Sequence, residues 1–254
     1  MIFAMADIHG YADVFQRRIQ QIEGYLEKGH QLILLGDYID RGPASYQSLH
    51  LAYSLQKKYG KDRVVVLKGN HEQWFLDFLY EGADEWLAED ENNRTTATFL
   101  SEEELAEIRG MAYRESLYSL KDKIKKRNKE LLIWLKKLPL FYETSTQIYV
   151  HAGVDEDIPE EEIEWCTLAT GEWTMLGKFP PSKGKFFKDI IAGHVSVRDV
   201  AQDNSFQGIY YDGASHFYID GSVSHSRPLL CLAYDEEKNI YYEFTNDGEF
   251  KKIK

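Results

Sequence analysis

Cysteine, positive charge and long apolar runs are all scarce in this chain. Its 254 residues include two cysteines, Cys166 and Cys231, which form no C-x-x-C pattern. The expectation is two buried thiols in a reducing, cytoplasmic setting. Lysine and arginine number 30 against 42 aspartates and glutamates, a net charge of −12. A general nucleic-acid binder needs a cationic footprint, so no such surface is expected. No apolar run reaches the roughly 18 residues of a membrane helix. The first residues, Met1 to Gly10, carry no basic segment and become charged too soon for a signal peptide. Internal repeats and low-complexity tracts are also missing.

What remains is an ordinary globular composition, with 43% hydrophobic and 28% charged residues. The length suits one large α/β domain with an inserted subdomain. The chain is organised around Gln31 to Gly42, QLILLGDYIDRG. Leu32 to Leu35 reads as a strand buried on both faces. Gly36 ends it, and Asp37, Asp40 and Arg41 follow at once. Opposite charges at the edge of an apolar sheet are costly unless a metal ion or a phosphate pairs with them.

The flanking sequence repeats this rhythm. Met1 to Ala6 is apolar and runs into Asp7-Ile8-His9-Gly10. Tyr11 to Lys28 reads as a helix, with Phe15, Ile19, Ile22 and Leu26 on one face. A second helix is expected over Ala44 to Tyr59, and a third strand over Val64 to Leu67, before Gly69-Asn70-His71-Glu72. Strand, motif and helix in this order predict a parallel sheet. From Gln73 to Lys137 the pattern turns helical, and we expect an insertion packed over one end of the sheet. Gln147 to Val150 is strand-like before His151-Ala152-Gly153, and Asp189 to Ala192 before Gly193-His194. The runs at Gly208 to Tyr211, Phe217 to Ile219, Leu229 to Tyr234 and Ile240 to Phe244 alternate with turn signals. They predict antiparallel strands for the last third.

Five apolar strands thus end in metal-competent side chains: Asp7 with His9, Asp37 with Asp40, Asn70 with His71, then His151, then His194. In α/β sheets, ligands bind beyond the carboxyl ends of strands, so five such ends can share one crevice. Carboxylate, amide and imidazole donors together suit Mn²⁺, Fe or Zn²⁺. Of the other histidines, His30 and His50 read as structural or surface groups. For His216 and His225, contact with the site stays open.

These residues carry a resemblance. ADIHG (6–10), GDYIDRG (36–42), GNHE (69–72), HAG (151–153) and GH (193–194) resemble the motifs of the calcineurin-like metallophosphoesterases. Within these, the likeness is to the PPP-type serine/threonine protein phosphatases and diadenosine tetraphosphate hydrolases. The five fixed positions of GDxxDRG arise by chance in roughly one chain in a few thousand of this length. The likeness spans about residues 1 to 220.

It implies an α/β fold with a metallophosphoesterase-type β-sandwich core flanked by helices. It makes residues 1–254 a single domain, with a helical, cap-like insertion at about 73–137 between the third and fourth motifs. It further implies two divalent ions, Mn²⁺ first among the candidates. Asp7, His9 and Asp37 would hold one; Asp37, Asn70, His151 and His194 the other, with Asp37 shared. Cations held about 3.5–4 Å apart clamp a phosphate and activate water. Arg41 and Asn70 would contact the phosphate, and His71, oriented by Asp40, would protonate the leaving oxygen. The implied activity is phosphomonoester hydrolysis of the serine/threonine phosphatase type. The alternative is hydrolysis of diadenosine tetraphosphate, and a silent scaffold of the same fold is the non-enzyme reading. A phosphoprotein or nucleotide is the expected partner.

Three positions depart from the pattern: Ala6 and Ala152 replace glycines, and Thr167 stands where relatives carry a second phosphate-binding arginine. No arginine lies between His151 and His194. Arg94, in a polar turn expected at Asn92 to Thr96, is the candidate replacement, weighed against an ordinary exposed loop arginine. Lys178 is the other.

Overall fold

A computed structural model describes residues 1–90 and 94–254. The expected opening order is present. Strand β1 (Ile2–Met5) leads to helix α1 (Ala12–Glu27), β2 (Gln31–Leu34) to α2 (Ser45–Tyr59), and β3 (Val64–Val66) to α3 (Asn70–Tyr80). β1 and β3 both pair with β2 in parallel. Their alternate side chains split between two cores. Phe3, Met5, Leu32, Leu34, Val64 and Val66 meet the helices. Ile2, Ala4, Ile33 and Val65 face a second sheet. Because both faces are covered, these strands read as unbroken apolar runs rather than alternating ones.

The insertion is a series of helices: α4 (Trp86–Glu89), α5 (Arg94–Thr98), α6 (Glu102–Arg109), α7 (Tyr113–Arg127) and α8 (Lys129–Lys136). Its placement corrects the expectation of a body set over one end of the sheet. Leu120, Ile124, Leu131, Leu132 and Leu135 enter the same core as α1 and α2. Trp134 Nε1 donates to Gln56 Oε1 on α2 at 2.8 Å. These two helices therefore widen the existing helical layer, because their leucine stripe needs an apolar face to cover. Only the start of the insertion reaches the strand ends. Of the polar turn expected there, Asn92 and Asn93 lie outside the described residues, and Arg94 opens helix α5 rather than standing in a turn.

The second sheet holds β4 (Phe141–Glu143), β5 (Gln147–Val150), β6 (Asp189–Ser196), β7 (Tyr210–Tyr211) and β8 (His216–Asp220), in the order β4-β5-β6-β8-β7. Short helices α9 (Cys166–Ala169) and α10 (Glu172–Gly177) precede β6, and α11 (Val197–Ala201) follows it. The final strands β9 (Leu232–Asp235), β10 (Ile240–Phe244) and β11 (Phe250–Lys252) return to the first sheet, antiparallel beside β1. The antiparallel expectation for the last third therefore holds for β7 and for β9 to β11. β8 is antiparallel to β7 as expected, but on its other edge it runs parallel to β6. Tyr241 of β10 stacks on Phe217 of β8 at 4.4 Å, joining the two sheets face to face. The result is a β-sandwich flanked by helices. Among the described residues no helix is long and apolar enough to cross a membrane. Both cysteines are buried and unpaired.

Candidate metal centre and active site

The carboxyl ends of parallel strands from both sheets meet at one place. β1, β2 and β3 deliver Asp7 with His9, Asp37 with Asp40, and Asn70 with His71; β5 and β6 deliver His151 and His194. Ten non-glycine residues among those described have positive φ, and six of them are Asp7, His9, Asp37, Asp40, Arg41 and His194. A left-handed backbone turns each chain sharply off its strand, so the side chain points across the crevice rather than along the sheet. Such conformations cost about 1–3 kcal/mol each and gather at functional sites. Gly69 and Gly193 complete the fit, since a Cβ on either would collide with a carboxylate oxygen of Asp37 or of Asp7.

The donor atoms converge. His9 Nε2 lies 3.6 Å from Asp37 Oδ2 and 4.0 Å from Asp7 Oδ1. His151 Nε2 lies 3.5 Å from Asp37 Oδ1 and 2.8 Å from Asn70 Oδ1. His194 Nδ1 is 3.1 Å from the same amide oxygen. Two groups have ligand atoms within 4.8 Å of one another, His9 with Asp37 and His71, and Asp37 with His151 and His194. Asp37 belongs to both. His71 joins the first group in place of the expected Asp7, and the second holds its expected histidines with Asp37, the amide oxygen of Asn70 lying beside both rings.

The electrostatics call for cations. Burial, then Asp220 and Asp37, raise Asp7 well above the usual carboxylate range. Burial also lowers His9 to about 3 and, with His151 beside it, His194 to about 4. These imidazoles are neutral, which is the state that ligates a metal. His9 Nδ1 donates to Ile39 O at 3.0 Å and His151 Nδ1 to Leu35 O at 2.8 Å. Each ring thereby commits its one proton to the backbone and turns the lone pair of Nε2 into the site. For His151 that lone pair meets the Asn70 oxygen with no proton between them, an arrangement a cation satisfies. The residues present fit a dinuclear divalent centre.

Beside the ligands stands a proton-delivery pair. His71 Nδ1 and Asp40 Oδ2 are 2.6 Å apart. Burial opposes protonation of His71, but Asp37 and Asp40 outweigh it and raise its pKa. Arg41 donates to His9 Nε2 at 2.8 Å and reaches within 3.5 Å of His71 Nε2. Arg94 Nη1 donates to Arg41 O at 2.8 Å, so the insertion touches the phosphate-binding motif directly. A cavity of about 950 Å³ opens over the pair, lined among others by Arg41, Asn70, His71, Trp74, Trp86, Arg94, His194 and His225.

Several residues at the site went unread in the sequence. Buried Glu72 accepts from Asp37 N and Gly69 N through Oε2, at 2.8 and 3.0 Å, and from Tyr38 N through Oε1 at 2.8 Å. It fixes the second motif against the third. It stands at the third position of α3 and reaches back to the backbone N–H of Gly69, the residue that caps the helix, a reach that a Glu three residues past a helix start allows. Asp220 ends β8 next to Asp7, and burial pushes it up to about 6. It repeats the pattern of an acid after an apolar strand, but the following glycine made it read as a turn. Thr95 Oγ1 donates to Asp40 Oδ1 at 2.6 Å, so α5 buttresses the His71–Asp40 pair. Nothing local in the sequence announces that contact.

Other candidates lie elsewhere. Thr167 is buried and donates to Glu143 Oε2 at 3.0 Å. Lys178 is paired with Glu156 Oε1 at 2.9 Å. His216 sits between Glu156 and Asp212, 3.0 Å from each. None of the three lines the cavity, whereas His225 does. The Glu156 cluster instead makes a stability device. Burial would raise Glu156, but hydrogen bonds from His216, Ser182 and Lys178 hold it at about 2. Its stabilisation is present above the ordinary value of 4.5 and is lost as pH falls toward 2. Burial lowers His216, yet Glu156 and Asp212 raise it overall, so its share is full below 6.5 and fades as pH rises through the raised value. Glu156→Gln should therefore cost most between these limits, by about 2–4 °C in melting temperature. Melting curves from pH 4 to 9 that show an equal loss throughout would refute the assignment.

Residues 1–211 match the family model described as calcineurin-like phosphoesterase. Two relatives are symmetrical bis(5'-nucleosyl)-tetraphosphatases. That of Nitrosococcus oceani is 30% identical over 155 residues, 60% of this chain and 44% of its own length. That of Aromatoleum aromaticum is 28% identical over 153 residues, again 60% of this chain and 44% of its own. The chain thus spans less than half the length of these relatives. Among solved structures, the cold-active protein-tyrosine phosphatase of a psychrophilic Shewanella species superposes with a TM-score of 0.60 at 16% identity. That likeness covers 100% of this chain and 80% of the other, and speaks to the fold alone.

Proposed function

Because this chain belongs to the calcineurin-like phosphoesterase family, we propose that it hydrolyses a dinucleoside polyphosphate at a two-metal site. The observation that carries the choice of substrate is Trp74. Its ring is 40% exposed and stands 4.9 Å from the His71 ring, on the wall of the large cavity. An exposed aromatic face beside the reacting centre suits a base stacked next to its phosphates. Tetraphosphatase relatives support the same reading more than the serine/threonine phosphatase reading that the motifs alone favoured. The lack of an arginine at position 167 weakens the latter further.

Two divalent ions, with Mn²⁺ the first candidate, would neutralise the phosphate and activate water when bound by Asp7, His9, Asp37, Asn70, His151 and His194. Arg41 holds non-bridging oxygens of the reacting phosphorus, and Asn70 sits next to them. Water adds to phosphorus as the bridging oxygen departs, and His71 Nε2 delivers its proton to that oxygen. Asp40 keeps the ring in place and stabilises its protonated form. Arg94, anchored on the Arg41 carbonyl, approaches the substrate from the insertion. On this reading residues 1–254 act as one catalytic unit, and the beginning of 73–137 serves as a cap edge.

A turnover panel in Mn²⁺ tests the proposal. The specificity constant for diadenosine tetraphosphate should exceed that for a phosphoserine peptide by at least about tenfold, or 1.4 kcal/mol. ADP should be the product. A phosphopeptide turned over faster than the dinucleotide would overturn it in favour of a protein phosphatase.

A further inference from the structure

Past Arg41 the cavity continues. A second pocket of about 370 Å³ shares Arg41, His194, Ser224 and His225 with the first and runs on to Asn204, Arg198 and Arg227. The two lobes differ in character. The first has Trp74 and Trp86 on its wall. Among the described residues, no aliphatic side chain lines the second, which is built from arginine, histidine, serine, asparagine and aspartate. Its arginines come from separate places, Arg198 from α11 and Arg227 from the segment after the turn at Val223–His225. Neither guanidinium hydrogen-bonds or ion-pairs with another side chain among the described residues, although both are half-buried. With Arg41 they place three guanidinium groups in one hollow against two carboxylates, Asp199 and Asp220, an excess of positive charge in a chain of net charge −12 that marks a place kept for an anion.

We propose that this pocket is an oligophosphate subsite, in which Arg198 and Arg227 take phosphates beyond the scissile one, on the side away from Trp74. The inference rests on the dinucleoside polyphosphate reading and extends it. A symmetric tetraphosphate cut at its centre leaves two phosphates on either side of the broken bond. One pair leads toward the aromatic lobe and its base; in the other, the phosphate next to the reacting one needs donors that the metal ligands and Arg41 do not supply. Planar, forked guanidinium groups provide them. The same residues explain how the protein manages without an arginine at position 167: the donors are moved to α11 and to the loop after β8.

Inorganic tripolyphosphate is the probe, because it carries no nucleoside. It is titrated as a competitive inhibitor of p-nitrophenyl phosphate turnover beside inorganic phosphate, in excess Mn²⁺. In the unaltered protein tripolyphosphate should bind about 100-fold tighter than phosphate, the worth of two charge-assisted hydrogen bonds. In Arg198→Ala/Arg227→Ala that ratio should collapse to within about threefold. Chelation of metal affects both proteins alike and cancels. Should the double variant fold poorly, Arg198→Gln and Arg227→Gln alone should each lower the ratio about tenfold. A ratio preserved in the variants, or no preference for tripolyphosphate at the outset, overturns the subsite. Arginine-dependent tripolyphosphate binding in a protein that ignores diadenosine tetraphosphate would sink the substrate reading while leaving the pocket's role intact.

Discussion

Asp37→Asn is expected to lose metal and turnover together while the fold survives. Among the described residues, Asp37 alone belongs to both donor groups, so its charge would serve both ions at once. Its two oxygens face opposite groups, Oδ2 toward His9 Nε2 at 3.6 Å and Oδ1 toward His151 Nε2 at 3.5 Å, so one carboxylate lies between both sets of donors. Asparagine keeps the shape and tolerates the left-handed backbone at φ 57, so the substitution changes charge with little strain. Metal-ion catalysis is worth several kcal/mol, so turnover should fall at least about 10³-fold. Elemental analysis should find less than two equivalents of metal, with the melting curve of the metal-free protein little changed. Two equivalents retained in the variant would contradict the assignment.

The second large effect concerns the proton. His71→Asn should slow hydrolysis of an alkyl phosphate by about 10²–10⁴. p-Nitrophenolate leaves without a proton, so its loss should be far smaller. The structure adds an intermediate case. Thr95→Val removes the donor to Asp40 Oδ1 without touching His71. It should show the same leaving-group selectivity on a smaller scale, roughly tenfold. Equal losses on both substrates in His71→Asn would place the residue in metal or phosphate binding, which its position within the first donor group makes a real test.

Much of this site can be read from the sequence, because its side chains sit directly after apolar strands. Short-range order is enough to find Asp7, Asp37, Asn70, His151 and His194, and buried parallel strands announce themselves as unbroken runs. Contacts between distant segments are another matter. Thr95 meets Asp40 across 55 positions, and Asp220 faces Asp7 across most of the chain. No local pattern encodes such pairings. The same limit explains the strands at the end. Turn residues specify the hairpin between β7 and β8, but not that β8 joins β6 in parallel while β9 crosses to β1. Likewise the insertion's leucine stripe predicts a buried face without saying which surface it covers.

The face-to-face stacking of the two sheets gives the site a sensitivity of its own. Asp7, Asp37 and Asn70 ride on one sheet, His151 and His194 on the other, and what spaces them is the core between, including Tyr149, Ile191, Phe217 and Tyr241. A cation bound by both groups would act as a rivet through the sandwich, adding to its stability by mass action in proportion to the metal at hand. By reciprocity, whatever loosens that core weakens the rivet. Selection for metal affinity would therefore fall on apolar residues that never touch an ion, and their packing becomes as much a part of the metal chemistry as the ligands.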